Sequence, residues 1–164
     1  MGGARINHVS VNATDLERSE AFYVDLFGAE PIPTPQFGFP VRWLAVGDTQ
    51  LHLFFREVEP PSNHHFAIEV DDLAAVYRRA AELGIFERDL FDHHLIELPG
   101  DQAQLYIRDP AGNLVEIDAA GASRLPDDVR ADMKVLADFR PQDGDHARAR
   151  LFIGDDRRAP EPVS

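Results

Sequence analysis

The feature that most constrains this chain is an internal repeat. Sliding the sequence by 57 positions lays His8 on His65, Asp15 on Asp72, Leu16 on Leu73 and Leu26 on Leu83. The stretches Asn7 to Leu16 and Asn63 to Leu73 therefore open two copies of one unit, each a short strand running into a helix. Self-similarity of this kind marks a supersecondary unit that cannot bury its apolar face alone, so the two copies are expected to form one folded body. A residue type repeated at equivalent places, as histidine is here, also points to shared chemistry.

Taken in order, residues 5–12 alternate, with Val9 and Val11 on one face and Ile6, His8 and Ser10 on the other, the period-two signature of a strand. Thr14 and Glu17 have capping-box spacing. They predict a helix with Leu16, Tyr23, Leu26 and Phe27 inward, stopped at Gly28. Four prolines between residues 31 and 40 forbid a helix there. That stretch reads as a surface loop or edge strand hiding the second strand of the first copy, with a lid carrying Phe37 and Phe39 as the functional alternative. Residues 41–46 and 50–55 read as a hairpin, and Arg56 to Ser62, with its paired prolines Pro60-Pro61, as the linker between copies. In the second copy, Asp71 or Asp72 caps a helix carrying Leu73, Val76, Tyr77, Ala80 and Leu83 inward and ending at Gly84. Strands at 93–98, 103–108 and 113–118 follow.

The expected fold class is α+β, from two tandem βαβββ modules at residues 4–57 and 63–118. Helix and strand alternate only once per copy, so the sheet should be mixed or antiparallel with its helices on one face. Residues 119–164 are a C-terminal extension. Its expected element is one amphipathic helix from Pro126 to Phe139 carrying Val129, Met133 and Leu136 inward. Beyond Pro141 the chain should pack loosely, except that Leu151-Phe152-Ile153 reads as a short edge strand or a partner contact.

Charge narrows the function. Residues 1–118 carry 20 acidic and 8 basic side chains, the remaining 46 carry 9 and 8, and the only lysine is Lys134. Such a surface repels phosphate backbones and anionic lipid, which argues against nucleic-acid binding. No apolar run approaches the roughly 20 residues that span a bilayer, and the N-terminus lacks signal-peptide character, so a cytoplasmic protein is expected. With no cysteine, any metal must be held by imidazole and carboxylate.

The chemistry is expected on the strands. His52 and Glu116 each interrupt an apolar strand, and an offset of 64 superposes them, with Leu53 on Ile117. His8 pairs with His65 and His52 with Glu116, so four polar groups occupy equivalent places in the two copies. Period-two counting puts all four on the face opposite the helices. Burial there costs several kcal/mol unless the groups are paired or bound to metal. Three imidazoles and one carboxylate suit one divalent transition ion: zinc, iron, manganese or nickel. His64, His93, His94 and His146 read as ordinary hydrogen-bonded or half-exposed histidines.

At these residues the chain resembles the vicinal oxygen chelate superfamily, which includes glyoxalases, ring-cleaving dioxygenases, fosfomycin-resistance transferases, methylmalonyl-CoA epimerases and bleomycin-resistance proteins. The resemblance covers about residues 5–118. It is carried by Ile6-Asn7-His8-Val9, by His65-Phe66-Ala67-Ile68-Glu69-Val70-Asp71-Asp72, and by Asp109-Pro110-Ala111-Gly112-Asn113-Leu114-Val115-Glu116. It implies paired βαβββ modules whose sheets curl into a cup around a metal, usually in a homodimer. It also implies ligands at His8, His65 and Glu116, and often at His52. Glyoxalases have a glutamate and the epimerases a glutamine where this chain has His52.

The activity so implied is that of a divalent-metal-dependent enzyme that takes two adjacent oxygens of a small substrate. Its reaction would be of lyase, isomerase or ring-cleaving oxygenase type. His8, His65 and Glu116 would be ligands, His52 the fourth ligand or the base, and Arg42, Trp43 and Tyr106 would line the pocket. The competing class is a bleomycin-resistance-type protein that sequesters a drug or metabolite without chemistry.

Overall fold

The computed structural model describes residues 5–90 and 92–154. The first elements in chain order are β1 (His8–Ala13), α1 (Leu16–Phe27), β2 (Glu30–Ile32), β3 (Val41–Val46) and β4 (Thr49–Phe55). Next come β5 (His65–Glu69), α2 (Leu73–Leu83), β6 (Leu95–Leu98), β7 (Gln102–Arg108) and β8 (Leu114–Ala120). A 3-10 turn (Ala122–Arg124), α3 (Asp127–Arg130), β9 (Lys134–Val135), α4 (Leu136–Phe139) and α5 (Gly144–Arg148) complete the described chain. The fold is α+β with two mixed sheets, ordered β1-β4-β3-β2 and β5-β8-β7-β6-β9. Two compact units emerge. One holds the chain up to Phe66 with Arg108–Leu114, and the other holds Ala67–Ile107 with the chain from Val115 onward.

In the first unit, β4 is central. It pairs in parallel with β1, setting Ser10 opposite His52, and antiparallel with β3, setting Trp43 opposite His52. The hidden second strand is β2, which pairs antiparallel with β3. Helix α1 is capped by Asp15, whose side chain accepts from Arg18 N at 3.0 Å, one residue later than the Thr14–Glu17 spacing predicts. It stops at Gly28, which adopts the left-handed φ of 62° that only glycine takes without cost. Its buried residues are Ser19, Phe22, Tyr23 and Leu26. The Tyr23 hydroxyl donates to Asp109 Oδ2 at 2.7 Å, and Asn113 Nδ2 donates to the Asn12 carbonyl at 2.7 Å. The segment Arg108–Leu114 thus closes this unit through buried polar bonds.

In the second unit, α2 is capped by Asp72, which accepts from Ala75 N at 2.9 Å, and ends at Gly84. Leu73, Val76 and Ala80 are buried, as the 3.6-residue period predicts, but Leu83 at the last turn is 43% exposed. Strands β7 and β8 carry the core of this unit through Leu105, Ile107, Val115 and Ile117.

The C-terminal extension is not the single amphipathic helix expected from Pro126 to Phe139. Val129 is buried as foreseen, but the chain leaves the helix after Arg130 and forms β9, which pairs in parallel with the edge of β6. Only four residues of helix, α4, follow within the expected span. The local pattern suits a helix, but the open edge of β6 offers backbone partners at this point. Leu151-Phe152-Ile153 is likewise not a strand. The Gln102 amide holds it, accepting from Leu151 N at 2.8 Å and donating to the Leu151 carbonyl at 3.0 Å.

Candidate metal centre

Three of the four expected ligands, His8, His52 and His65, belong to the first unit, and the fourth, Glu116, to the second. His52 is 6% exposed on the central strand β4. Its ring lies flat against Trp43 on β3, with centroids 4.2 Å apart and planes 5° from parallel. It also stacks on His8 from β1, at 4.4 Å and 15°. The cross-strand register produces this array: Trp43 stands directly opposite His52, while His8, opposite Gln50, reaches the ring diagonally on the same face. Burial, and then the neighbouring His8, lower the pKa of His52 below the ordinary histidine value.

Hydrogen bonds assign the nitrogens. His8 Nδ1 donates to Asn7 Oδ1 at 2.6 Å and His65 Nδ1 to the Asn63 carbonyl at 3.0 Å. Nε2 therefore carries the lone pair in both rings, the arrangement usual for a ligating histidine whose other nitrogen is held by an oxygen acceptor. His52 is the opposite case, because its Nε2 donates to Gln50 Oε1 at 2.9 Å. A ligand lone pair lies in the ring plane, and two nearly parallel stacked rings cannot both aim theirs at one nearby ion. In His8 and His65, both exposed at the starts of β1 and β5, Nε2 is the nitrogen left for an ion. Among the described residues, however, the only three imidazole or carboxylate donors within 4.8 Å of one another are His93, His94 and Asp132, so His8, His52 and His65 are not gathered round one point. His52 fits one only after leaving its Gln50 bond and its stack.

In the second unit, Glu116 and Asp118 share one face of β8 and are 5% and 3% exposed. Gln104 Nε2 on β7 donates to Glu116 Oε1 at 2.8 Å, and the Tyr106 hydroxyl donates to Gln104 Oε1 at 3.1 Å. Burial, followed by the charge of Glu116, pushes Asp118 up to about 8. Burial and the same carboxylate raise Tyr106 above the ordinary tyrosine value. Asp118 Oδ1 is buried with no hydrogen-bond partner. Two buried carboxylates with an unsatisfied oxygen form a donor set that a divalent cation relieves.

The pocket residues divide. Trp43 touches His52, and Tyr106 belongs to the Glu116 cluster. Arg42 does not line this face. One residue before Trp43, it points to the other side of β3 and pairs there with Glu17, and with Glu20 at 3.1 Å, both on α1. Sequence reasoning missed Gln50, Gln104 and Asp118. All three carry the same signal as His52 and Glu116, a polar residue two positions from another on one strand face.

The first unit has a cleft of about 250 Å³ lined by Val11, Asn12, Pro60, His64, His65 and Asn113 among others. Phe37 and Phe39, 45% and 39% exposed, stack on each other at 5.7 Å. Phe37 also reaches Trp43 at 5.9 Å.

Duplicated modules with polar groups on their strands define a family. The chain belongs to the glyoxalase/bleomycin resistance protein/dioxygenase superfamily, whose model matches residues 5–117. It is 32% identical over 132 residues to the mitochondrial methylmalonyl-CoA epimerase of Mus musculus, covering 71% of this chain and 73% of that one. It is 27% identical over 117 residues to the metallothiol transferase FosB of Shouchella clausii, covering 68% and 77%. Among solved structures, a lactoylglutathione lyase from Agrobacterium tumefaciens superposes with a TM-score of 0.54 at 27% identity, over 76% of this chain and all of that one. These relatives are enzymes.

Proposed function

We propose that this chain is a divalent-metal-dependent enzyme acting on a small organic substrate with adjacent oxygens. Its reaction is the transfer of a proton at a carbon next to a carbonyl, as in an isomerase or lyase. The observation that carries the reading is the matched anchoring of His8 and His65, whose Nδ1 atoms are both fixed by oxygen acceptors so that Nε2 can ligate. His8, His65 and Glu116 are the proposed ligands. The ion, when bound, supplies Lewis-acid stabilisation of an enolate oxygen.

The protein's own groups do the rest. Asn7 and the Asn63 carbonyl hold the two ligand tautomers. Gln104 orients Glu116. His52, with Nε2–H directed to Gln50, keeps a lone pair on Nδ1 and is the proposed proton acceptor rather than the fourth ligand. Trp43 packed flat against it holds the ring in place. The epimerase relative supports proton transfer over oxygenase chemistry. The cytoplasmic homodimer expected from the sequence belongs to this proposal, and light scattering of the purified protein tests the dimer.

Elemental analysis tests the reading at its root. The wild type should carry an ion that His65→Ala and Glu116→Gln lose, and a wild type unable to retain metal at these residues sinks the enzyme reading. Solvent-deuterium incorporation into methylmalonyl-CoA, consumption of a methylglyoxal–thiol adduct and oxygen uptake with catechols then separate epimerase, glyoxalase and oxygenase. Uptake of oxygen without isotope exchange would overturn the proton-transfer assignment. A second reading, sequestration of a drug or metabolite, is favoured by the exposed Phe37–Phe39 pair beside Trp43. It predicts tight ligand binding by protein stripped of metal.

A further inference from the structure

A second set of metal donors lies in the other unit, among residues that look ordinary in the sequence. His93 and His94, just before β6, meet Asp132, just before β9. One donor atom from each lies within 4.8 Å of the other two. His94 Nε2 is 2.8 Å from Asp132 Oδ2, and His93 Nε2 is 3.9 Å from Asp132 Oδ1. Donors about 2.0–2.2 Å from a zinc ion stand about 3.4 Å apart across a tetrahedral edge, so these spacings bracket what an ion requires.

Burial and anchoring support an ion. The His94 side chain is 0% exposed; its Nε2 meets Asp132 Oδ2 at 2.8 Å, and its Nδ1 is buried with no hydrogen-bond partner. A buried imidazole with one nitrogen unpartnered is costly, and turning the ring so that this nitrogen ligates an ion removes the cost. The ring is held by aromatic neighbours, Phe86 at 4.2 Å and Tyr77 at 6.1 Å. The Tyr77 hydroxyl donates to Asp132 Oδ2 at 2.6 Å, orienting the carboxylate as an outer-shell partner orients a ligand. His93 Nε2 donates to the Asp132 carbonyl, so this ring, like His52, has to leave that bond before its Nε2 can ligate. The side chains of Asp132 and His93 are 37% and 16% exposed, which opens one side of the cluster to solvent and to a water ligand.

We propose that His93, His94 and Asp132 bind a borderline divalent ion of the zinc class, and that this ion fastens the C-terminal extension to the sheet of the second unit. The placement gives the ion this role. Asp132 is 39 positions from His93, and two residues later β9 joins β6 with Lys134 opposite Ile96. An ion at this point ties the parallel pairing at its start, where two residues of strand alone hold little. This site shares no residue with the proposed catalytic centre.

The test uses full-length chains stripped with a chelator and titrated with zinc against a chromogenic competitor. The wild type should take two ions. Asp132→Asn and His93→Gln should each take one, and His65→Ala should also take one, leaving the extension's site intact. Cobalt in the His65→Ala background should show visible d–d bands that His93→Gln abolishes. Limited proteolysis supplies a readout of the fastening. At zinc a hundred times Kd, cleavage within the extension should slow about 100-fold in wild type and in His65→Ala, because binding favours the closed state in proportion to 1 + [L]/Kd. In Asp132→Asn zinc should leave the cleavage rate unchanged. Equal stoichiometry in wild type, Asp132→Asn and His93→Gln, or zinc without effect on wild-type cleavage, overturns the proposal. If the catalytic reading alone is wrong, wild type takes one ion, His65→Ala still takes it and Asp132→Asn takes none.

Discussion

At the scale of single residues, hydrogen-bond direction decides what a histidine can do. His8, His52 and His65 look alike in the sequence, yet two are anchored through Nδ1 and one donates through Nε2. The same logic extends to the carboxylate side. Gln104→Leu removes the donor that orients Glu116 and should weaken metal binding about 10- to 100-fold, as outer-shell losses do, read by competition titration. Tyr23→Phe leaves Asp109 held by the Ala111 and Asn113 backbone amides and should cost about 1–2 kcal/mol in urea unfolding. Burial, and then Asp109, hold the Tyr23 pKa well above 10.0. Its contribution is therefore complete at neutral pH and fades as pH climbs above the unfolded value, because the folded state keeps a proton that the unfolded state releases. The wild-type advantage over Tyr23→Phe should shrink only in strong alkali.

At the scale of elements, the strands and long helices could be read from local pattern because local pattern builds them. Helix α2 has a cap, an apolar stripe and a terminating glycine, each visible over a dozen residues. Asp72→Ala should cost about 0.5–2 kcal/mol through the lost cap. Gly84→Ala should cost about 1 kcal/mol through its left-handed φ of 65° alone, since an added Cβ meets nothing within 4 Å. Thermal melts of the two variants check both. The extension was not legible for the converse reason. Its elements run two to five residues and are held by partners far along the chain, so periodicity between Pro126 and Phe139 said helix where pairing with β6 prevailed. His93 and His94 looked ordinary because Asp132 is remote in sequence. Arg42 was misassigned although alternation with Trp43 already set it on the other face, and only Glu17 and Glu20 revealed its role.

At the scale of the molecule, the extension covers a sheet edge that the family's modules do not themselves finish. The family model ends at residue 117, whereas β9, at residues 134–135, caps β6. A chain ending after Arg124 should expose the backbone of β6 and self-associate as protein concentration rises, measured by light scattering against full length. The division of the chain has a further consequence, for synthesis. The first unit includes Arg108–Leu114, and its buried Tyr23 and the Asn12 carbonyl are bonded by Asp109 and Asn113 from that segment. A ribosome that has finished the first 62 residues has therefore not yet delivered a unit that can close. The first half of the protein must wait for residue 114, so the two units complete their folding almost together, late in translation rather than one after the other.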